Sequence, residues 1–437
     1  MTLLNCIHTT LNQHRRSALA ATWRITYAFG HGAGAARREI VIVAPPKLAD
    51  VVLARIHNGI LLLHPAAVRI HAPVPQAQLQ PLLNVLRGLH ALPISVGDEA
   101  FEGLDRGPVD VPLIALSPGP VGGITGVAVG LDIGGTGMKC VALRDGQAVD
   151  KAHAPTWPDG ESGIESLVSR ARALVQETAA GEPIGALGVG FASPMSVDGT
   201  VVSLSTVMRQ RLGGLDAARD FPLRVAAGLT SGPVAFFNDL ANLGRHLSGR
   251  GRRRLLRLQV GTSFGGCWID ADGTVNGAEL GRLIVDGGAG ARPHTYLPIA
   301  GAMKSYLSGY GVTLTLKDLI GEDLTAWDAG YRWAELVSAG DPRGRELAAW
   351  VAELLVGVIA EARAFLPGLL EVEVGGSMLR GGTGRLVRTE VRARLDRLQS
   401  PPSFAISLDP GYDGAIAAAW APLIDAPLRG MRRLAGG

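Results

Sequence analysis

Hydrophobic and polar positions along this chain sort into two patterns: short apolar runs that end in glycine, and longer stretches with an apolar residue every three or four positions. Val127 to Ile133 is a near-continuous apolar run that predicts a buried strand. It enters Gly134-Gly135-Thr136, and the chain then resumes a strand from Cys140 to Leu143. Gly188 to Pro194 ends a second buried strand in small residues, with a turn at Asp198-Gly199. Pro233 to Phe237 predicts a third, delivering Asn238-Asp239-Leu240-Ala241-Asn242 at its carboxyl end. Leu256 to Val260 leads into Gly261-Thr262-Ser263-Phe264-Gly265-Gly266-Cys267-Trp268-Ile269, a second glycine hairpin, and Val372 to Val374 delivers Gly375-Gly376-Ser377. The helical period is clearest after Asp341-Pro342, a cap with proline at the first helical position. There Leu347, Val351, Leu354, Leu355 and Val358 form one apolar stripe, closed by Pro367-Gly368. Arg385 to Leu398 alternates charges along an exposed amphipathic helix.

The front of the chain carries a different pattern. A strand at Ile40 to Ala44, a helix from Leu48 to Leu63, a strand from Val68 to His71 and a helix from Gln76 to Leu89 suggest a small β-α-β-α domain. Gly107 to Gly123, with Pro108, Pro112, Pro118 and Pro120, reads as a linker. Seven of the ten histidines fall before it. His57, His64 and His71 recur every seven residues, but Pro65 breaks any helix they would share, so scattered surface and core histidines are the better reading than a metal site.

Composition narrows the class. A chain of 437 residues, 47% hydrophobic, is long enough for about three domain-sized units with sizeable cores. Cys6, Cys140 and Cys267 have no metal-ligand spacing and fit a reducing cytosol. The longest apolar run falls short of the roughly 18 residues a membrane span needs. The start does not read as a signal peptide either, with His14-Arg15-Arg16 behind the first apolar residues; a cytoplasmic location is expected. Arg245, Arg250, Arg252, Arg253, Arg254 and Arg257 cluster among Gly249 and Gly251 and read as a solvated connecting loop, and a net charge of +3 is too small to argue for nucleic acid.

The candidate chemistry lies in the glycine turns and in Asn238-Asp239. Glycine lets a turn take positive φ and lets an anion approach the backbone amides closely, so the first hairpin suits a phosphate. It is not a P-loop, which needs a following helix and a Gly-Lys-Ser/Thr ending. An ordinary tight hairpin explains a lone Gly-Gly-Thr equally well. Asn238 and Asp239 stand where open α/β sheets keep their ligands, although these residue types also cap helices readily.

The ordered set, from Val127 to Pro422, resembles the ROK family of bacterial sugar kinases within the actin-like, hexokinase-type ATPase superfamily. The resemblance implies an α/β fold: a two-lobed actin-like ATPase (ribonuclease H-like) kinase core, preceded here by the small α/β N-terminal domain at 1–122. The lobes would span 126–240 and 241–422, with a tail at 423–437 and the final helix, Asp413 to Ala419, packing closely through its short side chains. It further implies an ATP- and Mg²⁺-dependent kinase acting on a hexose, amino sugar or cyclitol hydroxyl. By resemblance Gly134, Gly135 and Thr136, with Lys139, hold the nucleotide phosphates, and Asp132 helps place Mg²⁺ through water. Gly261, Thr262, Gly265 and Gly266 form the second phosphate hairpin, and Gly375 and Gly376 pack against the adenosine. Asp239 becomes the general base, with Asn238 and Glu279, in Asn276-Gly277-Ala278-Glu279-Leu280-Gly281, on the sugar.

The departures are specific. Where the family usually has a histidine, this chain has Arg282, and the cysteine-rich zinc loop that normally comes next is missing, so no zinc is expected. Gly301 to Gly309 still resembles the family's segment beyond that loop. Arg282 would add a permanent cation and a fork of donors, favouring an acceptor with a carboxylate or phosphate; an arginine turned to solvent is the other reading. The strand end Phe191-Ala192-Ser193-Pro194 replaces the more usual Pro-Gly-Pro. The alternative from another class is a non-catalytic, ROK-like sugar-sensing regulator. The strand-rich front region lacks a helix-turn-helix pair with a basic recognition helix, so nucleic acid is not an expected partner. Intact Asp132, Gly134, Gly135, Thr136 and Asp239 favour catalysis. A dehydratase activator of the same fold would need cluster-binding cysteines that are absent. A homodimer is the expectation that the family sets.

Overall fold

A computed structural model of the chain describes residues 11, 20–29, 36–63, 65–90, 92–96, 124–135, 137–156, 163–193, 195–196, 198–204, 208–209, 212–278, 280–294, 297–366, 368–397, 401–407, 412 and 414–423. The linker read at Gly107 to Gly123 lies outside them, as do Thr136, Glu279, His64, Pro194, Pro367, Leu398, Asp413 and Cys6.

Three sheets organise the described residues. The front sheet holds β1 (Ala21–Phe29), β2 (Ala36–Ala44), β3 (Ala67–His71) and β4 (Ile94–Val96) in the order β2-β1-β3-β4, with helices α1 (Ala49–Leu63) and α2 (Gln76–Leu89). The sequence reading missed β1. Its buried Trp23, Ile25 and Tyr27 alternate with period two, while Arg24 turns outward to pair with Glu39 at 3.6 Å.

The second sheet contains β5 (Val127–Ile133), β6 (Gly137–Arg144), β7 (Gln147–Pro155), β8 (Ile184–Phe191) and β9 (Val234–Asn238). The third contains β10 (Leu255–Val260), β11 (Phe264–Ile269), β12 (Val275–Ala278), β13 (Glu371–Gly375) and β14 (Ser403–Ile406). Their orders, β7-β6-β5-β8-β9 and β12-β11-β10-β13-β14, are one topology used twice. The first strand is central, the next two fold back antiparallel on one side, and the last two run parallel on the other. Such a duplicated ribonuclease H-like sheet is the two-lobed actin-like ATPase fold. Between the lobes runs α3, residues 239–249 of the chain, because Asn238 ends β9 and its side-chain oxygen accepts from the amides of Leu240 and Ala241.

A long helix, α4 (Pro342–Phe365), opens with Asp341 accepting from the Arg343 amide and buries the stripe Leu347, Val351, Leu354, Leu355 and Val358. The helix at 414–423 lies on the second sheet, where Ala415 and Ala419 pack with Ala128, Val141, Leu143 and Ala186. The front region does not keep a core of its own. Trp23, Ile25, Tyr27, Ile56 and Ile60 belong to one apolar cluster with Val358, Phe365 and Leu258 of the second lobe.

Polar contacts cross the same boundary. His57, 1% exposed, places Nδ1 2.8 Å from His90 Nε2 and Nε2 3.0 Å from the Arg282 carbonyl. Burial, the charge of Arg282 and, for His90, that of His57 push these imidazoles down to about 4 and about 3 respectively, against the Arg282 hydrogen bond that raises His57. Both are therefore neutral in the fold, while an unfolded histidine protonates near 6.5. Their contribution to stability is fully present above pH 6.5 and is lost as pH falls from there through about 4; His246 and His294, each lowered to about 4 chiefly by burial, act in the same direction. Denaturant midpoints measured from pH 8 to 4 should fall below pH 6.5, and His57→Gln should flatten that fall. An unchanged slope in the variant would contradict the assignment.

Candidate active site

The parallel strands β5, β8 and β9 end together, Ile133 opposite Phe191 and Phe191 opposite Asn238. Adjacent strands stand about 4.8 Å apart, so the turn after β5 and the Asn238-Asp239 pair face the same edge at a separation of about 10 Å. Neither Asn238 nor Asp239 is buried. The capping bonds use Asn238 Oδ1, at 3.2 Å from the Leu240 amide and 3.3 Å from that of Ala241, while Asp239 Oδ1 lies 2.9 Å from the Leu240 amide. The plain capping role is thus real, and it orients the carboxylate at the head of α3.

At the other end of the edge, Gly134 donates its amide to the Gly137 carbonyl at 3.0 Å, and Thr156 Oγ1 holds the Gly134 carbonyl at 2.8 Å. The Gly134 amide is spent on closing the hairpin, so an anion would meet the amides beyond it. Asp132 and Lys139 are cross-strand partners. Burial raises the Asp132 carboxyl, with Lys139 opposing. A Cβ on Gly190 would stand in ordinary contact, 3.6 Å from Asp132 Oδ1, whereas one on Gly414 would overlap Oδ2, so Gly414 gives this carboxylate its room. A carboxylate whose charged form is penalised by burial fits a cation as its counterpart. Among the described residues there is no group of three or more His, Cys, Asp or Glu placed to hold a metal.

The second lobe brings its own turns to the same region. Gly261 donates to the Ser263 carbonyl at 2.9 Å and accepts from the Gly309 amide at 2.7 Å. Gly261 and Thr262 are partly exposed. Gly265 and Gly266, however, sit inside β11 and are buried. A Cβ on Gly265 would overlap Leu240, and one on Gly266 would overlap the Arg257 carbonyl and come within 2.7 Å of Leu280 Cδ1. Both are packing glycines. Leu240 in the Gly265 notch seats the head of α3 on the second hairpin. Gly375 and Gly376 are buried too: Gly375 makes room for the Arg257 guanidinium, and Gly376, at φ 118°, approaches the Val260 carbonyl. What they present is Ser377, whose Oγ would be 3.6 Å from a Cβ on Gly261.

The arginine cluster is a connecting loop only in part: Arg250 and Arg254 are exposed between α3 and β10, whereas Arg245 and Arg257 are buried. Arg257, 1% exposed, pairs with its cross-strand partner Glu373 at 2.6 Å. Arg252 bridges Glu371 and Glu373 at 2.8 and 3.2 Å, and Arg245 lies buried 5.0 Å over the Phe237 ring. Cross-strand pairing makes the Arg257 charge part of the sheet. Arg282 is half-buried, and its charge bears on His57, His90 and His294, which excludes the reading of a side chain turned to solvent. Sequence reasoning missed Gly414, Ser377 and the His57 and Asn58 contacts, which join residues far apart in the chain.

The fold is also found in solved structures. The chain is similar to a ROK family glucokinase from Streptomyces griseus in complex with glucose and AMPPNP, at 20% identity and TM-score 0.51 over 67% of this chain and 98% of that one. It is similar to a ROK family protein from Streptococcus pneumoniae TIGR4 in complex with sucrose, at 15% identity and TM-score 0.51 over 69% and 99%. The chain has the ROK fold. A ROK family transcriptional regulator, a homolog of the E. coli MLC protein, shares it at 13% identity and TM-score 0.53 over 70% and 80%. No protein-family model and no curated protein matches the sequence. Kinases and a regulator thus carry the ROK fold, so the choice between them rests on the site. No described helix is long and apolar enough to cross a membrane.

Proposed function

We propose that this ROK-fold chain is an ATP- and Mg²⁺-dependent phosphotransferase acting on a hydroxyl of a sugar or sugar-like polyol. The observation that carries the reading is the Asn238-Asp239 pair, partly exposed at one sheet edge with the Asp132 turn and seated through Leu240 on the second glycine hairpin. A sensor has no need to keep a proton acceptor beside two anion-suited turns.

In this reading Asp239 accepts the proton of the acceptor hydroxyl as its oxygen bonds to the γ-phosphorus and the bond to ADP breaks. Asn238, with Oδ1 engaged in capping, offers its amide N–H groups to a neighbouring hydroxyl. Mg²⁺, when bound, supplies neutralising charge for the phosphates, and Asp132 and Lys139 are the residues that would serve it and them. Gly135, Thr136, Gly261 and Thr262 offer the turn amides, with Gly134 shaping the first turn and Gly375 and Gly376 presenting Ser377 beside the second. Glu279 and Arg282 take the acceptor side, where the half-buried Arg282 cation favours a substrate with an anionic group.

The test is Mg²⁺-dependent ADP release from ATP against hexoses, amino sugars, sugar acids and cyclitols. Turnover concentrated on one acceptor is the expected outcome. Binding of a sugar without turnover would replace the proposal with the sugar-sensing regulator.

A further inference from the structure

We infer that the front region positions the acceptor side of the site, through Asn58 and His57 of α1. The inference rests on the proposed reading of residues 276–282 as the acceptor-contact segment.

Asn58 is fully buried, and its side-chain amide pairs with Ile284 as a strand neighbour would. Nδ2 donates to the Ile284 carbonyl at 2.8 Å, and Oδ1 accepts from the Ile284 amide at 2.8 Å. Ile284 bridges Ala302 through bonds made by its neighbours Leu283 and Val285, and Asn58 occupies both of its own backbone groups; backbone groups left without partners away from water are strongly disfavoured. One residue earlier in α1, His57 engages the Arg282 carbonyl at 3.0 Å and is itself fixed by His90. Asn58 Nδ2 also reaches Glu361 Oε2 at 3.4 Å, and Arg55 stands 3.8 Å from the same oxygen, so α1 is tied to α4 as well as to the segment. Arg38 adds a bond to the Phe365 carbonyl at the end of α4.

The clamped stretch connects directly to Glu279 through the tight 3₁₀ turn Leu280–Arg282. Gly281 packs so closely on the Phe264 carbonyl that a Cβ there would overlap it, and Met303 donates to the Leu283 carbonyl at 2.7 Å. With one side held by 301–303 and β11, α1 supplies the other side. A shift at Ile284 therefore moves the segment carrying Glu279 and Arg282, while the turn after β5 rests on other elements. Asn58 and His57 are positioning residues, and the loop's geometry is set by a region about 200 residues away in the chain.

Hydrogen exchange of the full chain, read with kinetics on whichever acceptor of the panel turns over, tests this. Asn58→Leu keeps the branched shape and removes both bonds. Exchange across 280–288 should speed up about tenfold while 127–143 stays within about twofold. The acceptor KM should rise about tenfold with the ATP KM within about twofold. Unchanged exchange in 280–288, or equal effects on both KM values, would overturn the inference. If Asn58→Leu loosens the whole chain, His57→Phe, which removes the Arg282 bond and the His90 contact while leaving both Ile284 bonds in place, carries the same two readouts. Should the wild-type chain turn over no acceptor, the kinase reading fails and the exchange comparison still decides the brace.

Discussion

Replacing Asp239 with asparagine is expected to lower turnover about 10²- to 10⁴-fold while leaving the unfolding midpoint unchanged. The separation of the two effects comes from geometry. Asp239 Oδ1 accepts from the Leu240 amide at 2.9 Å, and an asparagine oxygen can do the same, so the first turn of α3 keeps its bond. The cap itself belongs to Asn238, which the substitution leaves alone. What is lost is basicity: an amide cannot take the proton released as the hydroxyl attacks phosphorus. Leu240 remains in the Gly265 notch, so the second hairpin keeps its seat and ATP affinity should hold within about threefold. Steady-state kinetics and thermal unfolding of the two proteins decide the matter. A loss below about tenfold would remove Asp239 as the base, and a matching loss of stability would reduce it to a capping neighbour.

Asp239 was legible in the sequence because its signals are local. An apolar strand ending in Asn-Asp before a helical run states both the strand end and the cap, and β5, β9 and β10 appear within a residue or so of their expected bounds. The glycines were harder. Sequence shows that glycine is present but not what it faces: Gly134 and Gly261 shape turns, whereas Gly265, Gly266, Gly375 and Gly376 admit a leucine, carbonyls and a guanidinium. Arg257 misled for a related reason, since only the register of β10 with β13 reveals Glu373 beside it. β1 was missed because Arg24 interrupts the apolar residues on either side of it, and only the pleat shows it to be the outward half of an alternation. The fusion of the front region with the second lobe had no local signal at all. Asn58 meets Ile284 and Glu361 across 226 and 303 residues, and no periodicity reports a contact of that kind.

Gly188→Val should destabilise the chain by about 3 kcal/mol, the upper end of what overpacking costs, because the obstacle is backbone. Gly188 lies in the middle of β8, and a Cβ there would overlap the Ala418 carbonyl and stand 3.2 Å from the Ala418 Cα. Gly130, on the neighbouring β5, meets Ala415 and Ala419 in the same way, so the helix at 414–423 rests on a glycine floor with no side chain that can swing aside. The helix must lift or the sheet must bend. Either response reaches the site, since the helix begins at Gly414, against the Asp132 carboxylate. The variant should therefore lose Mg²⁺-dependent nucleotide binding together with stability. Gly88→Ala is the control: its Cβ would meet nothing within 4 Å, and in a helix it should leave stability unchanged or raise it by up to about 1 kcal/mol. Denaturant midpoints and nucleotide titrations on the three proteins separate the outcomes. A Gly188→Val chain as stable as wild type would mean that the helix at 414–423 does not close the first lobe, and the placement of Asp132 would have to be argued without it.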